Sequence, residues 1–110
     1  MKVDFKGYGE NVATFICDDT VESGNFVKMS GDYKVTACSE GDDFIGLCIN
    51  ARDNYAAIQL AGYVEVVKTS DIQLGYQGLV TSSANTISQS DTASKKYKVI
   101  SIDNKIGFIL

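Results

Sequence analysis

The sequence predicts an all-β fold: a small β-barrel or β-sandwich of short, mostly antiparallel strands, preceded by an N-terminal arm. Two observations carry this prediction. Short runs rich in Val, Ile, Phe and Tyr alternate along the chain with clusters of Gly, Asp, Asn and Ser, the pattern of strands and tight turns. Helical spacing of apolar residues is scarcely visible. With 110 residues, 45% hydrophobic and 22% charged, the chain has the size and composition of one folded domain. The division expected is an arm over residues 1–11 and a single barrel or sandwich over residues 12–110.

The first eleven residues set Val3, Phe5 and Tyr8 among glycines and charges and give no firm strand signal. They suit an arm that orders against a neighbour or a strand of the same barrel. Val12 to Cys17 opens the strand series, and Phe26 to Met29 follows a glycine turn. Tyr33, Val35 and Ala37 then alternate with Lys34, Thr36 and Cys38, as one buried and one exposed face require. Phe44 to Asn50 is a nearly continuous apolar run. Arg52-Asp53-Asn54-Tyr55 supplies turn chemistry before Ala56 to Leu60, so this pair reads as a hairpin. Tyr63 to Val67 and the short Leu79 to Thr81 are strand-like. Ser82 to Lys96, polar and rich in Ser and Thr, reads as a long exposed loop with at most a short edge strand. Tyr97 to Ile102 and Ile106 to Leu110 meet across Asp103-Asn104-Lys105 as the clearest hairpin of the chain.

An internal echo runs through this series. Val21-Glu22-Ser23-Gly24 resembles Ile72-Gln73-Leu74-Gly75 at a spacing of 51, and Ile45-Gly46-Leu47-Cys48-Ile49 resembles Ile106-Gly107-Phe108-Ile109-Leu110 at a spacing of 61. Two similar halves around one core would account for it, with an insertion of about ten residues in the second half supplied by the polar loop from Ser82. Chance likeness of strand and turn composition is the competing explanation.

The composition also restricts chemistry. There is no His, Trp or Pro. Without histidine the chain lacks the commonest general base and the commonest transition-metal ligand. Cys17, Cys38 and Cys48 each sit in an apolar run and read as buried thiols of a reducing compartment. Asp18, Asp19 and Glu22, and Glu40, Asp42 and Asp43, offer clustered oxygens, but neither group has the spacing of a calcium loop, and acidic residues are routine in turns. Ten basic against fourteen acidic residues give a net charge of -4, the wrong sign for gripping a phosphate backbone, and Lys95, Lys96 and Lys98 are too few to reverse that. No catalytic, cofactor or metal site is therefore expected, and no nucleic-acid or membrane partner. Phe15, Phe26, Phe44 and Phe108 read as core, whereas Tyr8, Tyr55 and Tyr76, at the N-terminus or in turns, are candidate interface anchors.

Taken in order, Gly24-Asn25-Phe26-Val27-Lys28-Met29, Val35-Thr36-Ala37-Cys38, Phe44-Ile45-Gly46-Leu47, Gly62-Tyr63-Val64-Glu65-Val66, Ile72-Gln73-Leu74-Gly75 and Ile106-Gly107-Phe108 resemble the small capsid decoration, or head cement, proteins of tailed bacteriophages and prophages. The chain departs from that pattern where Tyr76 follows Gly75 and Leu47 follows Gly46. The resemblance implies a β-barrel or β-sandwich module, commonly a homotrimer, that binds the major capsid protein on the outside of the head and stabilises the shell. It also implies residence in the virion after synthesis in the bacterial host cytoplasm. On this reading the arm residues Val3, Phe5 and Tyr8, with Tyr55 and Tyr76, are the candidate contacts to the shell. The rival reading is a small β-barrel that binds a ligand or glycan, or an accessory domain of a phage tail, whose mark would be a cleft lined by the turn tyrosines.

Overall fold

Ten strands and no helix make up the described part of the chain. A computed structural model describes residues 9–68, 71–103 and 105–110. Val3, Phe5, Tyr8 and most of the expected arm lie outside the described residues, as does Asn104 in the last turn. The strands are β1 (Asn11–Cys17), β2 (Phe26–Gly31), β3 (Lys34–Ala37), β4 (Gly46–Arg52), β5 (Tyr55–Ala61), β6 (Tyr63–Lys68), β7 (Gly75–Ser83), β8 (Thr86–Gln89), β9 (Lys96–Ser101) and β10 (Ile106–Ile109). The fold is all-β, as the turn and strand pattern predicted, and it closes into two small barrels in place of the one expected: β1-β3-β2-β4-β5 and β6-β8-β7-β9-β10.

The two barrels are the same structure built twice. In each, the first strand runs parallel to the third (Cys17 beside Val35, Lys68 beside Ile87) and antiparallel to the fifth, while the second pairs with the third and fourth. Even the irregularities recur. The β2–β3 ladder slips between Met29 and Gly31, and the β7–β8 ladder slips between Thr81 and Ser83. Matching the ladders sets Val27 against Leu79, Val35 against Ile87, Cys48 against Val99, Ala56 against Ile106 and Ile58 against Phe108; with Val21 and Ile72 of the sequence echo, all twelve are buried. Gly24 and Gly75, just ahead of β2 and at the start of β7, both hold φ near +90°, a conformation that favours glycine.

This register corrects the sequence reading in two places. The first echo is real, but β4, which contains Gly46 to Ile49, matches β9 and not β10, so the second half carries no insertion. Nor is Ser82 to Lys96 a long exposed loop. It contains the end of β7, a tight turn and β8, whose Ile87 is fully buried while Thr86 and Ser88 flank it half-exposed. A single inward residue in a four-residue strand leaves almost no period-two signal to read.

The β4–β5 hairpin was legible because its turn is diagnostic. Arg52 pairs with Tyr55, and Asp53 and Asn54 both sit at positive φ (53° and 66°), the primed two-residue turn that matches strand twist. Tyr33 was misread. It precedes β3 in the β2–β3 turn at φ 57°, with its carbonyl accepting a hydrogen bond from the Ile16 amide (2.8 Å), and its side chain is 80% exposed.

One apolar cluster belongs to the first barrel alone: Cys17, Val21, Val27, Val35, Cys48, Ala56 and Ile58. The other fills the second barrel and also takes in Phe26, Cys38 and Phe44 from the first. At the junction Phe26 and Phe44 lie 4.6 Å apart between ring centroids. Phe44 stacks on Tyr97 at 5.0 Å, and Phe108 closes the group at 5.5 Å from Tyr97. Aromatic pairs in such offset and edge-on geometries add to the gain from burial. The buried Gln59 ties the connection, donating to the carbonyls of Ala61 (3.0 Å) and Tyr63 (3.3 Å) on either side of Gly62.

Because Phe26 belongs to β2 of the first barrel yet packs in the core of the second, Phe26→Ala is expected to destabilise both together, by about 3–5 kcal/mol. Urea unfolding followed by tyrosine fluorescence and by circular dichroism should give one coincident transition, shifted to lower urea. Two separated transitions would show that the barrels fold independently.

Candidate functional site

Several of the described side chains capable of chemistry hold structural positions. The three cysteines are unpaired and buried. Burial raises the pKa of each thiol; Cys38, also beside the Asp42 carboxylate, is pushed up to about 11. A thiol held protonated is a poor nucleophile. Burial likewise pushes the Tyr97 hydroxyl up to about 12, where it donates to the Phe44 carbonyl.

Three carboxylates of the two acidic groups, Asp18, Asp42 and Asp43, fasten turns and loops. Asp18 accepts from the Thr20 amide (3.0 Å), the Thr20 hydroxyl and the Thr36 hydroxyl (2.7 Å), and these bonds hold its carboxyl below the ordinary value. Asp42 accepts from Lys28 Nζ (2.6 Å) and the Ser39 amide (2.8 Å), and the lysine depresses its pKa. Asp43 accepts from the Ser94 amide and hydroxyl across the junction. Among the described residues no three Cys, Asp or Glu side chains converge as a metal site.

Asp42 also sits where the barrels meet. The β3–β4 loop that it braces lies along the open edge of β7: Gly41 N–H donates to the Thr81 carbonyl (2.7 Å), and the Thr81 amide donates to the Asp42 carbonyl (3.0 Å). The Thr81 hydroxyl donates to the Ser39 carbonyl (2.6 Å), which explains how a threonine can be fully buried there. One residue-pair beyond, the Phe26 amide donates to the Ala84 carbonyl (2.6 Å).

Of the tyrosines proposed as anchors, Tyr55 and Tyr76 are exposed, at 58% and 66%. Both lie in strands, Tyr55 at the start of β5 and Tyr76 in β7. The expectation that Tyr76 occupies a turn is thus corrected. Tyr55 follows the β4–β5 turn of the first barrel, opposite Ile16, whereas Tyr76 lies beside Lys98 on the second barrel. Neither lines the two surface depressions seen beside the first barrel.

The larger depression, about 720 Å³ and open to solvent, is lined by Phe15, Met29, Gly31, Asp32 and Tyr33. Sequence reasoning missed this surface. Phe15, a core residue by sequence, packs against the core of the first barrel and also lines this depression, and Tyr33, a strand residue by sequence, stands in a turn. The available clue was Gly31-Asp32-Tyr33, a turn sequence carrying an aromatic. The smaller depression, about 210 Å³, is lined by Cys17, Asp18, Asp19, Val21, Ala51, Arg52, Asp53 and Asn54 and is mostly polar. Compared with protein-family models and with curated proteins, the chain matches none.

Two outcomes follow. Asp18 and Asp42 have depressed folded-state pKa values, so their contribution is present above the unfolded value, near 3.8, and is lost as pH falls through the folded values. The urea midpoint should hold from about pH 7 to 5 and drop below about pH 4, and Asp42→Asn should lower the neutral-pH midpoint and flatten that drop. An equally steep drop in the variant would remove Asp42 from the account. Tyr33, a non-glycine residue at positive φ, carries a conformational cost of about 1 kcal/mol. Tyr33→Gly should raise the stability of the monomer by that order; a lower urea midpoint would show that the ring is held by packing.

Proposed function

We propose that the chain is a non-catalytic decoration protein of a bacteriophage head, a homotrimer bound to the major capsid protein on the outside of the shell and stabilising it. The observation that carries this reading is the coincidence of the phrases behind the family resemblance with the joints of the duplicated fold. Gly24-Asn25-Phe26 and Ile72-Gln73-Leu74-Gly75 lead into the second strand of each barrel, Phe44-Ile45-Gly46-Leu47 leads into β4, and Ile106-Gly107-Phe108 opens β10.

The physical character of the module supports the same reading. Closed sheets leave little to rearrange, and no buried side-chain polar atom lacks a partner among the described residues. The protonated thiols and fastened carboxylates favour a structural role over a catalytic one. An acidic balance suits a module outside a DNA-filled shell. The rival ligand-binding reading needed a cleft lined by the turn tyrosines; Tyr55 and Tyr76 lie on different barrels, and the open depression at the β2–β3 turn is lined by one tyrosine, Tyr33. In the proposal, Val3, Phe5 and Tyr8 make the shell contact, with synthesis in the bacterial host cytoplasm and residence in the virion.

The deciding measurement is the copy number of this protein in density-gradient-purified particles from an induced source strain, counted against the major capsid protein. Hundreds of copies per particle are expected. A handful would place it in the tail, and absence from particles would overturn the proposal. Deleting Met1 to Gly9 should abolish particle association without unfolding the barrels.

A further inference from the structure

We infer that the open edge of β2, with Met29 and Tyr33 beside it, docks the second barrel of another copy of this chain, head to tail. This inference deepens the trimeric part of the reading above and rests on it, though not on attachment to a capsid.

The argument begins with the junction inside the chain. The second barrel presents the edge of β7 at Thr81, whose amide and carbonyl are satisfied by Asp42 and Gly41 of the first barrel; Ala84, in the following turn, accepts from Phe26. Thr81 is fully buried as a result. By the repeat, Thr81 corresponds to Met29. Each lies opposite the buried residue of the third strand, Ile87 or Val35, immediately before the same slip in the ladder. Ala84 corresponds to Asp32.

In the first barrel this edge is uncovered. The Cys38 amide donates to the Phe26 carbonyl, so Phe26 and Lys28 are the positions of β2 whose main-chain groups face β3. Val27 faces the other way and accepts from the Ile45 amide. Met29, two residues on, turns its amide and carbonyl to that same side, beyond the β4 pairing at Phe26 and Val27. No hydrogen bond from the described residues outside the sheet reaches them. Met29 is 45% exposed where its counterpart Thr81 is 0% exposed, and it lines the depression shared with Phe15 and Tyr33. An unpaired edge beside apolar side chains is a template for another chain.

The matching half lies on the second barrel. The Ser90 amide donates to the Gly78 carbonyl (2.9 Å) as the Cys38 amide donates to Phe26 (2.9 Å), so the β8–β9 loop, 90–95, is the counterpart of the β3–β4 loop that grips Thr81. At that spacing Gly41 and Asp42 correspond to Ala93 and Ser94; the Ser94 amide and hydroxyl donate to Asp43 of the same chain, whereas among the described residues no main-chain bond takes up the Ala93 N–H or the Ser94 carbonyl, and Asp91 and Thr92 beside them are exposed. The chain therefore carries an uncovered edge on its first barrel and, on its second, the counterpart of the loop that grips such an edge. Two different surfaces that fit each other generate a heterologous interface, which closes into a ring when the rotation allows.

Sedimentation velocity on the full chain, across a hundredfold range of concentration, tests this. Edge variants Tyr33→Glu and Tyr33→Ser, and the loop variant Thr92→Glu, which adds a charge to the exposed part of loop 90–95, alter exposed positions; circular dichroism confirms their fold. The wild-type chain is expected to self-associate. Tyr33→Glu and Thr92→Glu should each weaken association on the order of 30-fold or more, the loss typical of a central contact. An equimolar mixture of Tyr33→Glu and Thr92→Glu should form a two-copy species, because that pair retains one intact junction. A wild-type monomer at every concentration would overturn both the trimer and this interface. Oligomers untouched by the variants would leave the trimer standing and overturn the interface. Dissociation without a mixed species would overturn the head-to-tail arrangement.

Discussion

The pairing of the β3–β4 loop with the edge of β7 is the constraint on which the molecule depends. A five-stranded barrel of about fifty residues encloses too little apolar volume to be secure alone. Here the first barrel adds Phe26, Cys38 and Phe44 to the core of the second. That transfer is possible only because Gly41 and Asp42 are hydrogen-bonded to Thr81, with Lys28 and the Ser39 amide fixing the Asp42 carboxylate behind them. The loop thus satisfies a strand edge and supplies side chains to the neighbouring barrel.

The repeated halves have diverged in proportion to this dependence. At matched core positions the first barrel has Val21, Val27, Val35, Cys48, Ala56 and Ile58 where the second has Ile72, Leu79, Ile87, Val99, Ile106 and Phe108. The second core is built of larger side chains and extends into the aromatic layer of the junction. Phe26, Cys38, Phe44 and Leu47, which reach the second core from the first barrel, are apolar, whereas the counterparts of Cys38 and Leu47 are Ser90 and Lys98. An interface within a chain can lose or gain apolar character on one side only, since its two sides are different surfaces.

Much of the fold was legible because strand and turn chemistry are local. The Asp53-Asn54 turn, the alternation of Val35 with Lys34 and Thr36 in β3 and the apolar run into β4 each fix an element without reference to anything distant. β8 was legible only as a short edge strand in a loop, and not as a strand paired on both sides, because Ile87 alone of its four residues is inward and Thr86 is engaged by the hydroxyls of Ser82 and Ser83. The double barrel was glimpsed in the echo of Val21 and Ile72, but Cys48 with Val99 and Ile58 with Phe108 share no chemical likeness beyond being apolar, so the register of the second half could not be read. The surface at Tyr33 was hidden for a different reason. A tyrosine two residues before Val35 satisfies strand alternation, and only the backbone shows that it occupies a left-handed turn. For Val3, Phe5 and Tyr8 the sequence remains the sole guide.

The short connection through Gly62 has a kinetic meaning. It tethers the second barrel beside the surface on which it docks, which converts a bimolecular encounter into an intramolecular one at an effective concentration on the order of millimolar. A contact too weak to hold two separate barrels at cellular dilution is then saturated within one chain. Each molecule would enter any larger assembly with one junction already closed, so that half of the barrel-to-barrel contacts form during folding and independently of how much protein the cell has made.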